Sequence, residues 1–479
     1  MTEQVFFWDI DMWSFITTLG ILFGALLLAN MLRRLIPPLR RSLIPSSVIA
    51  GFLILLVDWL FKTITGSSMF TRLALEAMTY HCLGLGIVAM TFRTSEKVKD
   101  KERNRDIFNS GLLTVSGYLI QAITGLVITI GLFYAIGSFA SSGMLLPMGY
   151  GQGPGQAFNW GKIYEQLTEY PAFANGSSFG LSVAAMGFVS ASIGGVVYMN
   201  VMKRKGKLSR KVEGADETED LSAEMVTKKG EIPLAESLDK LTVQFALVFL
   251  AYILGYALMY VLTTYVFDPL GGFFAGTVKP LMWGFNFLMG MLFVFIIKGV
   301  MRLFKKWGVA KREYTNNFML NRISGLTFDL MVVASIAAID LSAFRHREFI
   351  LPLILVCVAG FFVSFFFVRF CSHRLFPKYP SEQFLVMFGM LTGTVSTGLI
   401  LLREIDPLYE TPAATNVIFQ NLWAIVFGFP MLLLMGIVYK GMTMTWLTLG
   451  ILVLLFAGMI LLLFRSVIFK RRKQKVDNK

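Results

Sequence analysis

Apolar residues in this chain come in long blocks, not at the three-to-four-residue spacing of a surface helix. Phe285–Ile297, Leu351–Val368 and Leu447–Phe464 carry no charge at all, and about 20 helical residues suffice to cross a hydrocarbon core. The blocks predict spans at 13–32, 44–61, 73–92, 107–138, 177–202, 241–266, 281–301, 324–343, 350–370, 415–438 and 444–468. Two further apolar segments, 145–165 and 387–407, are interrupted by glycine, proline and hydroxyl residues and do not read as crossings. Lipid offers no partner to free backbone groups, so a chain of this pattern folds as a bundle of helices. The expected fold class is an all-α polytopic membrane protein with eleven transmembrane helices and two re-entrant hairpins.

Composition agrees with the pattern. Of 479 residues 55% are hydrophobic and 15% charged, and a soluble fold has nowhere to put that much apolar surface. The net charge of +14 could suggest a nucleic-acid partner, but its distribution rejects one. If the spans alternate strictly, the loops at 33–41, 93–106, 203–240, 302–322, 369–378 and 465–479 share one side. They hold 35 of the 44 Lys and Arg residues. Cytoplasmic loops collect these residues, which puts the amino terminus outside and the carboxyl terminus in the cytoplasm of an inner (plasma) membrane, with anionic lipid as a partner. The first twelve residues carry acids where a cleavable signal needs basic ones. Cys82, Cys357 and Cys371 lie in or beside apolar segments without CxxC spacing, as small buried hydrophobes do.

The mixed-charge stretch 203–240 predicts a cytoplasmic linker between two membrane halves, 1–202 and 241–443, followed by an extra span and basic tail at 444–479. The third and eighth spans share Thr79–Tyr80–His81 and Thr327–Phe328–Asp329. Each is followed by a charged loop, a long apolar helix, a glycine-bearing segment and another span. By alternation the two spans run in opposite directions. Such an inverted repeat is a common build of secondary transporters.

The glycine segments carry the candidate chemistry. In 145–165, Gly149, Gly151, Gly153 and Gly155 surround Pro154, and each glycine costs a helix about 1 kcal/mol and proline about 3. A hairpin entering from outside with an extended tip is expected. The segment 387–407 should enter from the cytoplasm and break at Gly393–Gly398. Broken helices present free N–H groups and positive dipole ends to an anion; their unwound carbonyls and hydroxyls suit a small cation. Gly151, Gln152, Gly153, Gly155 and Gln156 are therefore the candidate substrate residues of the first tip, with Asn159 nearby. Gly393, Thr394, Ser396 and Thr397 are those of the second. Thr392, Asp329 and Gln121 are candidate cation ligands. The run Ser190–Gly195 reads as close helix packing.

Other polar residues have ordinary readings. His81 suits a satisfied buried histidine as well as a functional one. Asp58, Glu76 and Asp340 sit near span ends. Arg403 could pair a carboxylate, or Glu404 or Asp406. The three histidines form no HExxH, no GxGD pair occurs, and GQGPGQ lacks the strand a dinucleotide loop needs. These absences predict a protein that is not an enzyme and has no organic cofactor.

With these residues in view, the chain resembles the glutamate:sodium symporter family, itself distantly akin to the 2-hydroxycarboxylate (citrate-type) transporters. The likeness rests on IPSSVIAGF (44–52), YLIQ (118–121), GQGPGQA (151–157), MGFVSASIGG (186–195) and GTVSTG (393–398). It spans about 13–440 and implies a homodimer in which an elevator-type movement carries glutamate and sodium between two hairpin tips. The family's first tip tends to carry a histidine where this chain has Gln152, and its second tip has alternate glycines where this one has hydroxyls. No glutamine stands at Gly360 to mirror Gln121. The expected function is sodium-coupled symport of a small carboxylate, glutamate first; the alternative is a proton-coupled carrier or exporter of another dicarboxylate or hydroxycarboxylate.

Overall fold

The computed structural model describes residues 10–93, 101–168, 170–205, 239–309, 312–407 and 409–465. Most of the expected linker and the end of the basic tail lie outside the described residues. The rest is a helical, multi-pass membrane protein. Ten helices are long and apolar enough to cross a bilayer: α1 (Ile10–Leu35), α2 (Ser46–Thr65), α3 (Arg72–Phe92), α4 (Lys101–Ile136), α6 (Gly176–Arg204), α7 (Lys240–Leu262), α8 (Asn286–Lys306), α9 (Asn317–Ala337), α10 (Arg347–Leu375) and α15 (Met442–Leu463). The bent pair α13 (Ala413–Phe419) and α14 (Asn421–Met435) is apolar enough to make an eleventh if the two are one span. Each overlaps one expected span. The shorter helices α5 (Pro154–Glu165), α11 (Pro380–Thr392) and α12 (Val395–Arg403) fall in the two interrupted segments.

The described residues divide into two compact units. The first draws on Met1–Ala29, Ile49–Glu96 and Ala215–Ala338. Its core is Val88, Ala89 and Phe92 of α3 with Val248 and Ala251 of α7, Val294 of α8, and Leu320 and Ile323 of α9. Glycine lets these helices approach: a Cβ on Gly84 would collide with the Tyr252 ring, and one on Gly86 with Thr327 and Phe328. His81 has its bland reading here, since Nδ1 lies 3.0 Å from the Tyr252 hydroxyl, which accepts from Asn286 Nδ2 at 2.9 Å. Lys298 caps the end of α3 by donating to the carbonyls of Thr91 and Arg93, both at 2.9 Å. Glu76 pairs with Arg72 at 3.0 Å, and Asp58 accepts from Ser68 and from the Met69 N–H. Both acids serve the ends of helices, as their positions suggest.

The second unit draws on Asn30–Val48, Lys97–Gly214 and Ile339–Lys479 and holds both interrupted segments. Its centre is α6, whose small residues let neighbours meet it backbone to backbone. Gly161 of α5 lies on the Gly176 carbonyl, and Gly180 lies on the carbonyl of Ala157. Farther along α6, Gly194 makes room for Phe388 and Phe361, and Gly195 for Leu401. The run Ser190–Gly195 is thus a packing face, as its composition suggests. Across the unit, α4 meets the first segment through Gly125 and Gly143, whose backbones touch. Asp340, at the start of this unit's third stretch, caps Ser342 and donates its N–H to Ser178.

A branched side chain at Gly180 has no room, because the facing atom is a backbone carbonyl that cannot rotate away. Gly180→Val should lower unfolding stability in detergent by about 2 kcal/mol or more. Gly131, where a Cβ meets nothing, should accept alanine with little change in the same assay.

Candidate functional site

The first interrupted segment leaves α4 through a 3-10 turn, Ala140–Met144, and a wide helical turn, Pro147–Gly151, before it breaks. The break is at Gln152–Gly153, and α5 starts at Pro154. Gly153 has φ +88 and ψ 178, a conformation open essentially to glycine alone. The expectation of an extended tip across the whole glycine run is therefore corrected. Gly149 and Gly151 are helical, and Gly155 lies in the first turn of α5. Proline does not prevent this, because at the first helical position its missing N–H would be unpaired anyway. The glycines serve approach: Gly149 packs on Val183 and the Ala184 N–H, Gly151 on the Tyr118 ring.

The second segment also differs from its expected limits. It begins at Pro380, runs as α11 to Thr392, breaks at Gly393–Thr394 and returns as α12 to Arg403. The expected start is 387. Gln383, before it, is fully buried, donating to Ser110 at 3.0 Å. Gly398, expected in the break, lies inside α12, where its α-carbon fits against the Val386 carbonyl of α11. The hydroxyls stabilise the turn: Thr394 Oγ1 caps the Thr397 N–H at 3.3 Å and lies 3.2 Å from Thr397 Oγ1. Thr392 Oγ1 donates to the Phe388 carbonyl at 2.6 Å. Asp406 is occupied by the N–H groups of Glu410 and Thr411 at 2.9 and 3.0 Å, so it serves the loop after α12.

These two breaks meet. A Cβ on Gly153 would lie 3.6 Å from Thr394 Cγ2 and 4.0 Å from the Gly393 carbonyl. The amino termini of α5 and α12 therefore begin beside each other. Gln121 on α4 links both breaks. Its Nε2 donates to the Leu391 carbonyl at 2.8 Å and to Ser364 Oγ at 2.8 Å. Its Oε1, fully buried, accepts nothing and would be 3.4 Å from a Cβ on Gly151. Tyr118, one turn earlier, donates to the Gly151 carbonyl at 3.1 Å. The Gln156 side chain is 2% exposed, and neither its Oε1 nor its Nε2 has a partner.

Eleven of the twelve candidate residues thus belong to one unit: Gly151, Gln152, Gly153, Gly155 and Gln156; Thr392, Gly393, Thr394, Ser396 and Thr397; and Gln121. Within the set Thr392, Thr397, Gln121 and Gln156 are buried, Gln152 and Thr394 half-buried, and Ser396 exposed. Asp329 belongs to the first unit, exposed on α9. Sequence reasoning missed Tyr150, whose hydroxyl lies 2.9 Å from Ser190 Oγ and donates to the Cys357 carbonyl at 2.8 Å. It also missed Gly187, which seats the Thr392 carbonyl on α6. A lone tyrosine inside a glycine run is the available signal for Tyr150. Gly187 carries none, since α6 is rich in small residues throughout.

The arrangement offers two helix amino termini, each equivalent to roughly half a positive charge. The N–H groups of Gly155 and Gln156, and of Val395 and Ser396, lie in first turns that leave them without an intrahelical acceptor. Among the described residues no cluster of three His, Cys, Asp or Glu side chains could hold a metal ion. Helix amino termini of this kind suit small anions in general. No family model matches the chain, and no curated protein is similar to it at a significant level.

Gly153 separates backbone geometry from room at the site. Gly153→Ala meets only ordinary contacts, so its cost should be the strained φ alone, about 1–3 kcal/mol in thermal unfolding. Gly153→Leu should add no further loss of folding yet abolish any stabilisation of the protein by small anions, because a Cβ here already faces Thr394 and Gly393 of the other break. Equal loss of folding and of that stabilisation in the two variants would make this glycine purely structural.

Proposed function

We infer that the chain is a secondary transporter of a small carboxylate, with glutamate the first candidate and sodium the coupling ion. The observation that carries this reading is the meeting of two broken helices, amino terminus beside amino terminus, next to the buried Gln156 amide, which lacks partners. Together the two ends supply about one positive charge, which suits a ligand of net charge −1 such as an amino dicarboxylic acid. Backbone donors are fixed in place, so little ordering is needed to bind. The protein works as a carrier, not as an enzyme, and no group at the tips is assigned a catalytic step.

The resemblance to the glutamate:sodium symporters supports the same reading, as does the order of elements. Each compact unit is built from stretches on both sides of the linker, as two intertwined inverted halves would require. In an elevator-type movement the unit that holds both tips is the carrier body and the other unit the scaffold, with a homodimer as the working assembly. The concentration of Lys and Arg in alternate loops supports an inner-membrane location, with the amino terminus outside and the carboxyl terminus in the cytoplasm.

Purified protein in proteoliposomes should accumulate labelled glutamate when an inward sodium gradient is imposed. Replacing that gradient by an inward proton gradient separates the coupling ions: uptake that persists on protons alone overturns sodium coupling. If no amino acid, dicarboxylate or hydroxycarboxylate moves under either gradient, the transporter reading fails.

A further inference from the structure

Two more buried amide oxygens lack partners. Asn416 of α13 and Gln420, the residue that follows that helix, stand one turn apart, joined by the backbone bond from the Gln420 N–H to the Asn416 carbonyl at 3.0 Å. Both are fully buried. Each spends its NH2 group on α11 and its approach: Asn416 Nδ2 donates to the Tyr379 hydroxyl at 2.9 Å and to Gln383 Oε1 at 3.3 Å, and Gln420 Nε2 is 3.0 Å from Met390 Sδ. The two carbonyl oxygens, Asn416 Oδ1 and Gln420 Oε1, accept nothing. A buried amide oxygen without a donor costs about 1–3 kcal/mol, so two that stand one turn apart are an expensive arrangement unless something fills it.

The chemistry of the place selects the occupant. Two neutral, hard oxygens suit an alkali cation better than an anion or a transition metal. The Tyr379 hydroxyl that accepts from Asn416 donates to Asp106 Oδ2 at 2.6 Å, and Asp106 also faces Arg105 at 3.8 Å. Burial and the bond to Asp106 push the Tyr379 phenol above its ordinary value, so it remains a neutral donor. The span also breaks here, since Ala413–Phe419 and Trp423–Met435 are bent by 52°, and broken spans turn carbonyls toward ions.

We propose that Asn416 and Gln420 bind a monovalent cation, sodium in size and hardness, through their side-chain carbonyl oxygens at the bend between α13 and α14. Neither residue is among the tip residues or the candidates Thr392, Asp329 and Gln121. An ion there braces α11, whose far end carries the second break.

The test is thermal unfolding of the full purified chain without substrate, titrated with sodium chloride against choline chloride at constant ionic strength. Wild type should be stabilised by sodium specifically. Gln420→Met, which removes one oxygen at nearly constant volume, should raise the half-saturating sodium concentration about tenfold or more. Asn416→Leu should do the same, and Asn416→Asp, which keeps an oxygen, should retain the response. Gly131→Ala, where a Cβ meets nothing, should leave it unchanged. The absence of any sodium-specific stabilisation in wild type overturns the proposal. So does an unchanged half-saturation in Gln420→Met, which would mean that buried water fills the place. Because no carboxylate is present, the outcome is independent of whether the tips transport glutamate.

Discussion

The need to satisfy backbone N–H and C=O groups away from water governs this structure. Inside a bilayer a continuous helix meets the requirement by itself, and a broken one cannot. The second unit contains two breaks, at Gln152–Gly153 and at Gly393–Thr394, and much of its remaining sequence serves to cover them. Gln121 donates to the Leu391 carbonyl that the second break releases. Tyr118 donates to the Gly151 carbonyl that the first releases. Thr394 takes the Thr397 N–H. What is left unpaired is a set of N–H groups on two helix ends and the orphaned amide oxygens and nitrogen of Gln121 and Gln156. The site is the remainder after the fold has satisfied itself.

The glycines follow from the same constraint. Covering a broken backbone requires close approach, and close approach requires the loss of Cβ atoms on the facing helix. In α6, Gly180, Gly187, Gly194 and Gly195 each receive a carbonyl or an apolar side chain from the hairpins. Within the tips only Gly153 is needed for its dihedral angles. Glycine thus does two jobs in this unit, and substitution at Gly153 and at Gly180 should fail for different reasons: strain in one case and collision in the other.

Both compact units leave a buried amide incomplete. In the first, polar side chains close the ends of helices or pair with each other, as with Lys298 on α3 and the His81–Tyr252–Asn286 chain, and Asn286 Oδ1 accepts nothing. In the second, buried amides are left incomplete at two places, Gln121 with Gln156 and Asn416 with Gln420. A bilayer gives such groups no water to fall back on. The anion reading of the first place rests on the N–H groups of two helix ends, and the cation reading of the second on unpaired carbonyl oxygens.

The spans were legible in the sequence because a hydrocarbon core imposes one length and one composition on every crossing helix. Eleven blocks of apolar residues and the alternating Lys and Arg loops needed no tertiary information. The first tip was legible as well, since four alternate glycines around Pro154 cannot be accommodated in an ordinary helix. The form of that tip was not: whether Gly149 and Gly151 are extended or helical depends on Val183 and Tyr118, which lie on other helices. The same reason misplaced the start of the second hairpin. Gln383 is polar and precedes the expected start, and its partners Ser110 and Asn416 make it an interior residue. Local sequence determined where the chain can cross and where it must break. Tertiary structure alone decided that both breaks face each other, because that depends on which polar atoms remain unpaired once every helix is packed.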